Sequence, residues 1–336
     1  MNGRHFLVIG AGAWGTALAM LLARNKCPTD LWSNDPAQVA QMQTTRDNPT
    51  FLPNQPFPEH LQPLADLNSG IDRADVILIA VPSDAFRVVL LQLAPFLVAR
   101  QIPIAWATKG LEHGTGLLLN QVVAQVLGES YPVAVISGPT FAAEVAKGLP
   151  AAMTVAANVP ANARLIADSL HNSSCRVYTS NDVIGVQIGG AAKNIIAIAA
   201  GIADGLGFGA NTRAALITRG LTEIVRLGLA MGGQLETFMG LTGLGDLVLT
   251  CTDDQSRNRR FGYALAQYNN VEQARNAVAQ TVEGIFAAKE VVKVSQQLSI
   301  EMPITMQVHA VLQGHCTPKE AVFNLLSREP KAEHLN

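Results

Sequence analysis

Two hydrophobic patterns divide the chain. Through the first half, short apolar runs recur at residues 6–9, 29–33, 75–81, 102–107, 133–136, 152–156 and 176–179. Each reads as a strand, and 75–81, apolar at nearly every position, is what a parallel sheet buried on both faces demands. The stretches at 16–24 and 161–171, and one opening at Asn34-Asp35-Pro36, have helical composition. From Ile184 onward strand signals nearly vanish. Segments such as 214–229 instead space apolar residues at helical intervals, with Arg219, Glu223 and Arg226 set between them. Residues 48–63 hold five prolines and read as an irregular surface loop. Residues 240–246 read as a glycine-rich loop ending in an acid. No internal repeat or low-complexity segment is present.

The first strand runs directly into Gly10-Ala-Gly12-Ala-Trp-Gly15 and then a helix. Strand, G-x-G-x-x-G, helix is the context that a dinucleotide-binding turn requires. Gly10 permits the tight turn, Gly12 lets backbone approach a pyrophosphate, and Gly15 lets the helix pack on the sheet. The helix start offers N–H groups and a positive dipole end to the phosphates. The expected class is therefore α/β: an N-terminal Rossmann-like, doubly wound, mostly parallel sheet over residues 1–187, then an all-α domain over 188–336. At the tip of the second strand stand Ser33 and Asn34, with Asp35 just beyond. Asp35 reads as a helix cap before Pro36 more readily than as a ribose ligand. No acid at the tip excludes a 2′-phosphate and no base there invites one, so NADH and NADPH both remain open.

Composition narrows the classes. The formal net charge is −2 and 49% of residues are hydrophobic, so a large core is available and no electrostatic footprint for nucleic acid is visible. The four cysteines and seven histidines are scattered without metal-ligand spacing. No metal site is expected, and the thiols read as reduced core residues of a cytoplasmic protein. Residues 6–23 carry no charge and could pass for a signal or membrane segment, but three glycines interrupt them. No later stretch reads as a second span, so no integral membrane segment is expected.

The residues that carry chemistry lie at the change of pattern. In Gly185-Val-Gln-Ile-Gly-Gly-Ala-Ala-Lys193-Asn194 one cation opens a long apolar helix, with small residues before it that admit close neighbours. Lys193 either snorkels to water or faces a ligand. Ser256-Arg257-Asn258-Arg259-Arg260 precedes helical residues 261–267. Ser256 can cap that helix and Arg257 can grip phosphate oxygens, unless the cations simply pair with Asp253 and Asp254. Lys109 ends one strand, either near phosphates or in solvent. Thr140 follows Gly138-Pro139 as a cap or a hydroxyl donor.

These segments, with Ala107-Thr-Lys-Gly110, Ile136-Ser-Gly-Pro-Thr-Phe-Ala142, Gly243-Leu-Gly-Asp246 and Asp254-Gln-Ser-Arg-Asn-Arg-Arg260, resemble the bacterial-type NAD(P)-dependent glycerol-3-phosphate dehydrogenases and span most of the chain. The resemblance implies reversible reduction of glycerone phosphate to sn-glycerol 3-phosphate with NADPH or NADH, feeding phospholipid synthesis in the cytoplasm, with the active site between the domains. It implies Lys193 as catalytic acid/base. Lys109, Gly138, Thr140, Lys193, Asp246, Ser256, Arg257 and Asn258 would surround the substrate. Gly10, Gly12, Ala13, Trp14, Gly15, Asn34, Lys109, Ala142, Arg257, Thr281 and Glu283 would touch the dinucleotide. Asn34 departs from the family's usual basic residue or histidine, and Thr281 from its usual valine. A homodimer is one assembly open to such a chain. The competing readings are a hydroxyacid dehydrogenase, against which the Ser256–Arg260 cluster argues by suiting a phosphorylated substrate, and a nucleotide sensor without turnover.

Overall fold

The computed structural model describes residues 3–329. The chain forms two compact units: residues up to Lys109 with Leu119–Val183, and Gly110–Leu118 with the chain from Ile184 onward.

The first unit is one eight-stranded sheet: β1 Phe6–Ile9, β2 Thr29–Trp32, β3 Leu61–Leu64, β4 Val76–Ile79, β5 Ile104–Trp106, β6 Val133–Ser137, β7 Ala151–Ala157 and β8 Cys175–Ser180. The order is β3-β2-β1-β4-β5-β6-β7-β8. Pairing is parallel from β3 to β6, and in register Val8 lies between Leu31 and Leu78. Only β7 runs antiparallel to its neighbour β6, with β8 parallel to β7. Strands β1 and β4 are buried at every position, which explains why they carry no polar alternation. The chain winds outward from β1 to β3, then returns to lay β4 on the other side of β1. That reversal opens a crevice at the carboxyl ends of β1 and β4, the usual ligand position in open α/β sheets.

Residues 48–60 are the irregular surface segment expected, but three of them are anchored inside and the last residues of 48–63 are a strand. Asn48 is fully buried, Leu52 and Phe57 are buried, and the segment ends in β3, which pairs with β2. Pro63 is tolerated because β3 is an edge strand, with ladder bonds on one side only. The first crossover helix begins at Ala13, not Thr16. Its nine consecutive buried residues from Gly15 to Ala23 account for the uncharged stretch that resembles a membrane segment.

In the second unit the described residues from Ile184 onward contain helices and no strand. Its centre is the helix Val183–Gly205, buried continuously from Gly185 to Ala203. Against expectation, this helix is long and apolar enough to cross a membrane, but 94% of its most apolar window is buried inside the protein. Burial all round, not lipid, explains its composition. Lys193 therefore sits in mid-helix, not at its start. The glycine-rich stretch at 240 is likewise not an open loop: Leu241–Gly245 forms a π-helical turn that leads into the helix Asp246–Thr252.

One buried acid organises the far side of this unit. Glu223, on the helix Ala210–Ala230, is 2% exposed. Its carboxylate accepts from the Ile304 and Thr305 N–H groups and from the Thr305 hydroxyl. It thereby caps the helix Pro303–Leu312, whose own N-terminal flank, Met302, supplies no side-chain cap.

Candidate active site

The glycine turn after β1 has the geometry an anion needs. Gly10 adopts φ +109°, and a Cβ there would lie 2.7 Å from the Ala80 carbonyl oxygen. A Cβ on Gly15 would lie 1.9 Å from the Gly10 carbonyl oxygen, so the helix sits directly on the turn. Around Gly12 there is open space instead, with nothing within 4 Å of a built Cβ. The first backbone bond of the helix Ala13–Arg24 runs from Thr16 N–H to the Gly12 carbonyl. The N–H groups of Gly12, Ala13, Trp14 and Gly15 make no hydrogen bond among the described residues. The Trp14 indole Nε1 is buried and also lacks a partner there. Unpaired donors at a helix start, beside space only glycine leaves, fit a pyrophosphate.

At the carboxyl end of β2, Asn34 is exposed and makes no hydrogen bond among the described residues. Asp35 is the cap: its carboxylate accepts from Ala37 N–H at 2.9 Å and Gln38 N–H at 3.3 Å, with Pro36 opening the helix Pro36–Thr45. A carboxylate used this way is not shaped to hold a ribose.

The ends of β5 and β6 bring three predicted residues together. Lys109 Nζ donates to the Gly138 carbonyl at 3.3 Å, and the Thr140 hydroxyl donates to the same oxygen at 3.3 Å. Lys109 is therefore half-buried and held, not a free loop lysine. Thr140 is not a helix cap, because the helix Ala142–Lys147 begins after Phe141 without a side-chain cap. Ala142 occupies the first position of that helix.

Within the second unit, Lys193 does not snorkel. Its side chain is 8% exposed and its Nζ forms an ion pair with Asp246, itself 1% exposed. Lys193 Nζ also donates to the Thr250 hydroxyl at 3.0 Å, and that hydroxyl donates to the Asp246 carbonyl at 2.6 Å. Asp246 and Thr250 are four apart on one helix and so share a face. The buried Cys251 beside them has its thiol pushed up to about 12 by burial; with Cys27 and Cys175 also buried, these are inert thiols.

Next along the helix, Asn194 joins a second polar set. Asn258 Nδ2 donates to Asn194 Oδ1 at 2.9 Å, and Asn258 Oδ1 accepts from Gly284 N–H at 2.9 Å. Asn194 Nδ2 donates to Glu283 Oε2 at 3.4 Å. Asn258 is 8% exposed, and these bonds commit its carboxamide to joining three helices. Ser256 caps the helix Arg257–Tyr268, its hydroxyl accepting from Arg259 N–H at 3.2 Å. The N–H groups of Arg257 and Asn258 make no hydrogen bond among the described residues. The acids of this segment do not take Arg257. Arg259 pairs with Asp204 and Asp254, while Arg257 is exposed and makes no ion pair among the described residues. Thr281 is exposed just before the helix Glu283–Gln297.

Sequence reasoning missed Thr250, although its place four residues after Asp246 was a usable signal. It also missed Gln38 and Asn48. Nothing in a proline-rich segment marks one asparagine as fully buried beneath the glycine turn. Among the described residues no group of three or more His, Cys, Asp or Glu is placed to hold a metal ion.

Comparison with known proteins accords with this geometry. Residues 6–163 match the family model for the NAD-dependent glycerol-3-phosphate dehydrogenase N-terminus, and residues 182–323 match that for the C-terminus. The chain is 58% identical over 328 residues to a glycerol-3-phosphate dehydrogenase [NAD(P)+] of Nitrosococcus oceani, covering 98% of this chain and 95% of that one. A crystal structure of glycerol-3-phosphate dehydrogenase from Coxiella burnetii superposes with a TM-score of 0.93 at 47% identity, covering 98% of this chain and all of the other. The Saccharomyces cerevisiae enzyme, at 24% identity, shares the fold with a TM-score of 0.83 over 98% of this chain. With both halves matched and this identity along nearly its whole length, the chain belongs to the NAD-dependent glycerol-3-phosphate dehydrogenase family.

Proposed function

We propose that this protein catalyses the reversible reduction of glycerone phosphate to sn-glycerol 3-phosphate with NADH or NADPH, supplying glycerophospholipid synthesis in the cytoplasm. Residues 1–187 form the dinucleotide-binding domain and 188–336 the helical substrate-binding domain, each lending residues to both ligands, and a homodimer is one assembly open to the chain. The observation that carries the reading is the Lys193 ammonium, buried in mid-helix against Asp246 and Thr250.

The bound dinucleotide supplies the hydride that reduces the ketone carbon. Its pyrophosphate is held by the N–H groups of Gly12 to Gly15, with Ala13, Trp14, Asn34, Lys109, Ala142, Arg257, Thr281 and Glu283 completing its contacts. Charge develops on the ketone oxygen as hydride arrives, and a preorganised cation stabilises it. Lys193 provides that cation and then a proton from Nζ. Asp246 and Thr250 hold the ammonium in place, so no side-chain freedom is lost at the moment of transfer. In the reverse direction Lys193 Nζ accepts the proton from the alcohol.

The phosphate end needs a separate anchor. Arg257 can make a bidentate pair with it, and the Arg257 and Asn258 N–H groups lie at a helix start capped by Ser256. Because the Asn258 side chain is already committed, its contribution is this N–H. Lys109, Gly138 and Thr140 complete the substrate contacts. The test is oxidation of NADH and NADPH on addition of glycerone phosphate, followed by reduced-nicotinamide absorbance. Dependence on glycerone phosphate that Lys193→Met abolishes supports the assignment. Turnover with an unphosphorylated hydroxy-ketoacid instead would overturn it.

A further inference from the structure

A buried polar network lies beneath the glycine turn and ties it to the tip of β2. Asn48 Nδ2 donates to the Ala11 carbonyl at 2.9 Å and to the Thr16 hydroxyl oxygen at 2.8 Å. Gln38 Nε2 donates to the same Ala11 carbonyl at 2.8 Å. Gln38 Oε1 accepts from the Ser33 hydroxyl at 2.6 Å, and Ser33 Oγ in turn accepts from Asp35 N–H at 3.2 Å. Asn48 is fully buried and Gln38 is 9% exposed.

The common target is what matters. One carbonyl, that of the residue between Gly10 and Gly12, takes two side-chain amides. Gln38 lies on the helix Pro36–Thr45 and Asn48 in the irregular segment after it, so both amides come from beyond β2. In a planar trans peptide the carbonyl and the following N–H point in opposite directions. Holding the Ala11 oxygen inward therefore turns the Gly12 N–H the opposite way, at a residue whose Cα has open space where a Cβ would stand. The Thr16 contact fixes the first turn of the helix whose N–H groups at Ala13, Trp14 and Gly15 are unpaired.

We propose that Gln38 and Asn48 are positioning residues for the dinucleotide: they clamp the Ala11–Gly12 peptide so that its N–H and the helix start face the pyrophosphate. Through Ser33 the same clamp fixes the β2 tip beside Asn34, so the phosphate and ribose ends of the dinucleotide site are set as one rigid piece. This rests on the dinucleotide reading above. Neither side chain touches the ligand; each acts through Ala11.

The test compares Gln38→Met, Gln38→Glu, Asn48→Leu and the double variant Gln38→Met with Asn48→Leu. For each, the KM for NADH and NADPH, the KM for glycerone phosphate, kcat, the dinucleotide Kd by fluorescence and the melting temperature are measured. Gln38→Met should raise the dinucleotide KM and Kd about tenfold, as loss of one buried amide bond allows. The kcat and the KM for glycerone phosphate should hold within about twofold, because the transfer step itself is untouched. Gln38→Glu, which sets an acceptor against the Ala11 oxygen, should exceed Gln38→Met. The double variant should exceed the product of the singles, because in each single variant the remaining amide still restrains the carbonyl in part. A fall in melting temperature with unchanged dinucleotide KM and Kd would mean a purely structural network and overturn the proposal. If Asn48→Leu does not fold, the two Gln38 variants decide. If the unsubstituted protein binds neither dinucleotide, the functional reading falls and this one with it.

Discussion

The backbone of Gly189 runs so close to Thr242 that a Cβ on Gly189 would stand 2.5 Å from the Thr242 carbonyl oxygen. Lys193 is four residues beyond Gly189, and Asp246 four beyond Thr242. Each pair spans about one helical turn, so the glycine contact sets the register at which the ammonium meets the carboxylate. Gly189→Ala should push the π-helical turn away and cost about 1–3 kcal/mol of stability, the usual range for overpacking. Unlike an ordinary core substitution, it should also lower kcat by displacing Asp246 from Lys193. Denaturant unfolding alongside steady-state kinetics checks this; a stability loss with wild-type kcat would separate the two effects.

Lys193→Met should reduce kcat by at least about a hundredfold, the low end for loss of a general acid, with dinucleotide binding retained in a fluorescence titration. Because Asp246 is 1% exposed, the variant also takes the ammonium partner from a buried carboxylate, at a cost of about 3–5 kcal/mol. Adding Asp246→Asn should return much of that stability without returning activity. Recovery of turnover in the double variant would exclude Lys193 as the proton donor.

Among the described residues Arg257 makes no ion pair, and it is exposed, so its removal breaks no internal pairing. Arg257→Ala should leave the melting temperature unchanged and raise the KM for glycerone phosphate by about tenfold or more, the worth of a charge-assisted pair. Arg259→Ala should behave oppositely, with a lower melting temperature through loss of Asp204 and Asp254.

Glu223 gives a pH signature. Burial pushes its carboxyl up to about 6 from 4.5, against the opposing pull of the Ile304 and Thr305 donors. The folded state then holds this proton at pH values where the unfolded chain has lost it. Stability from the group is full below the unfolded value and falls as pH rises toward 6, by about 2 kcal/mol over that window. Glu223→Gln cannot titrate there. The unfolding free energy of wild type relative to Glu223→Gln should drop by this amount between pH 4.5 and pH 6 and then level off; a flat difference would mean the carboxyl is not raised.

Asn34 stands exposed without a partner at the tip of β2. Asn34→Arg should bring a guanidinium within reach of a 2′-phosphate and raise the preference for NADPH over NADH by about tenfold. The ratio of kcat/KM values for the two dinucleotides reports it.

How much was legible in advance depended on how local each cause was. The turn from Gly10 to Gly15 could be read because its demands are steric and contiguous: a positive φ at Gly10, no Cβ at Gly15, space at Gly12. The apolar runs of β1 and β4 could be read because a parallel sheet buried on both faces admits no alternation. The Ser256 cap could be read from one hydroxyl at a helix boundary. The π-helical turn at 241–245 was hidden because glycines signal a loop unless a neighbour such as Gly189 packs against them. In residues 48–63 the irregular backbone could be read from five prolines, but the buried Asn48 and the edge strand at Leu61–Leu64 could not.

The sequence by itself determined seven of the eight strands, the dinucleotide turn and the change from mixed to helical architecture, since each follows from period, sterics and capping over a few residues. Only the tertiary structure decided which partners Lys193 has: Asp246 and Thr250 lie 53 and 57 residues further along the chain. The same holds for the two amides that share one carbonyl at Ala11, 27 and 37 residues away in sequence. Pairings at that distance are set by how helices pack, and packing depends on the shape of surfaces that no local pattern encodes.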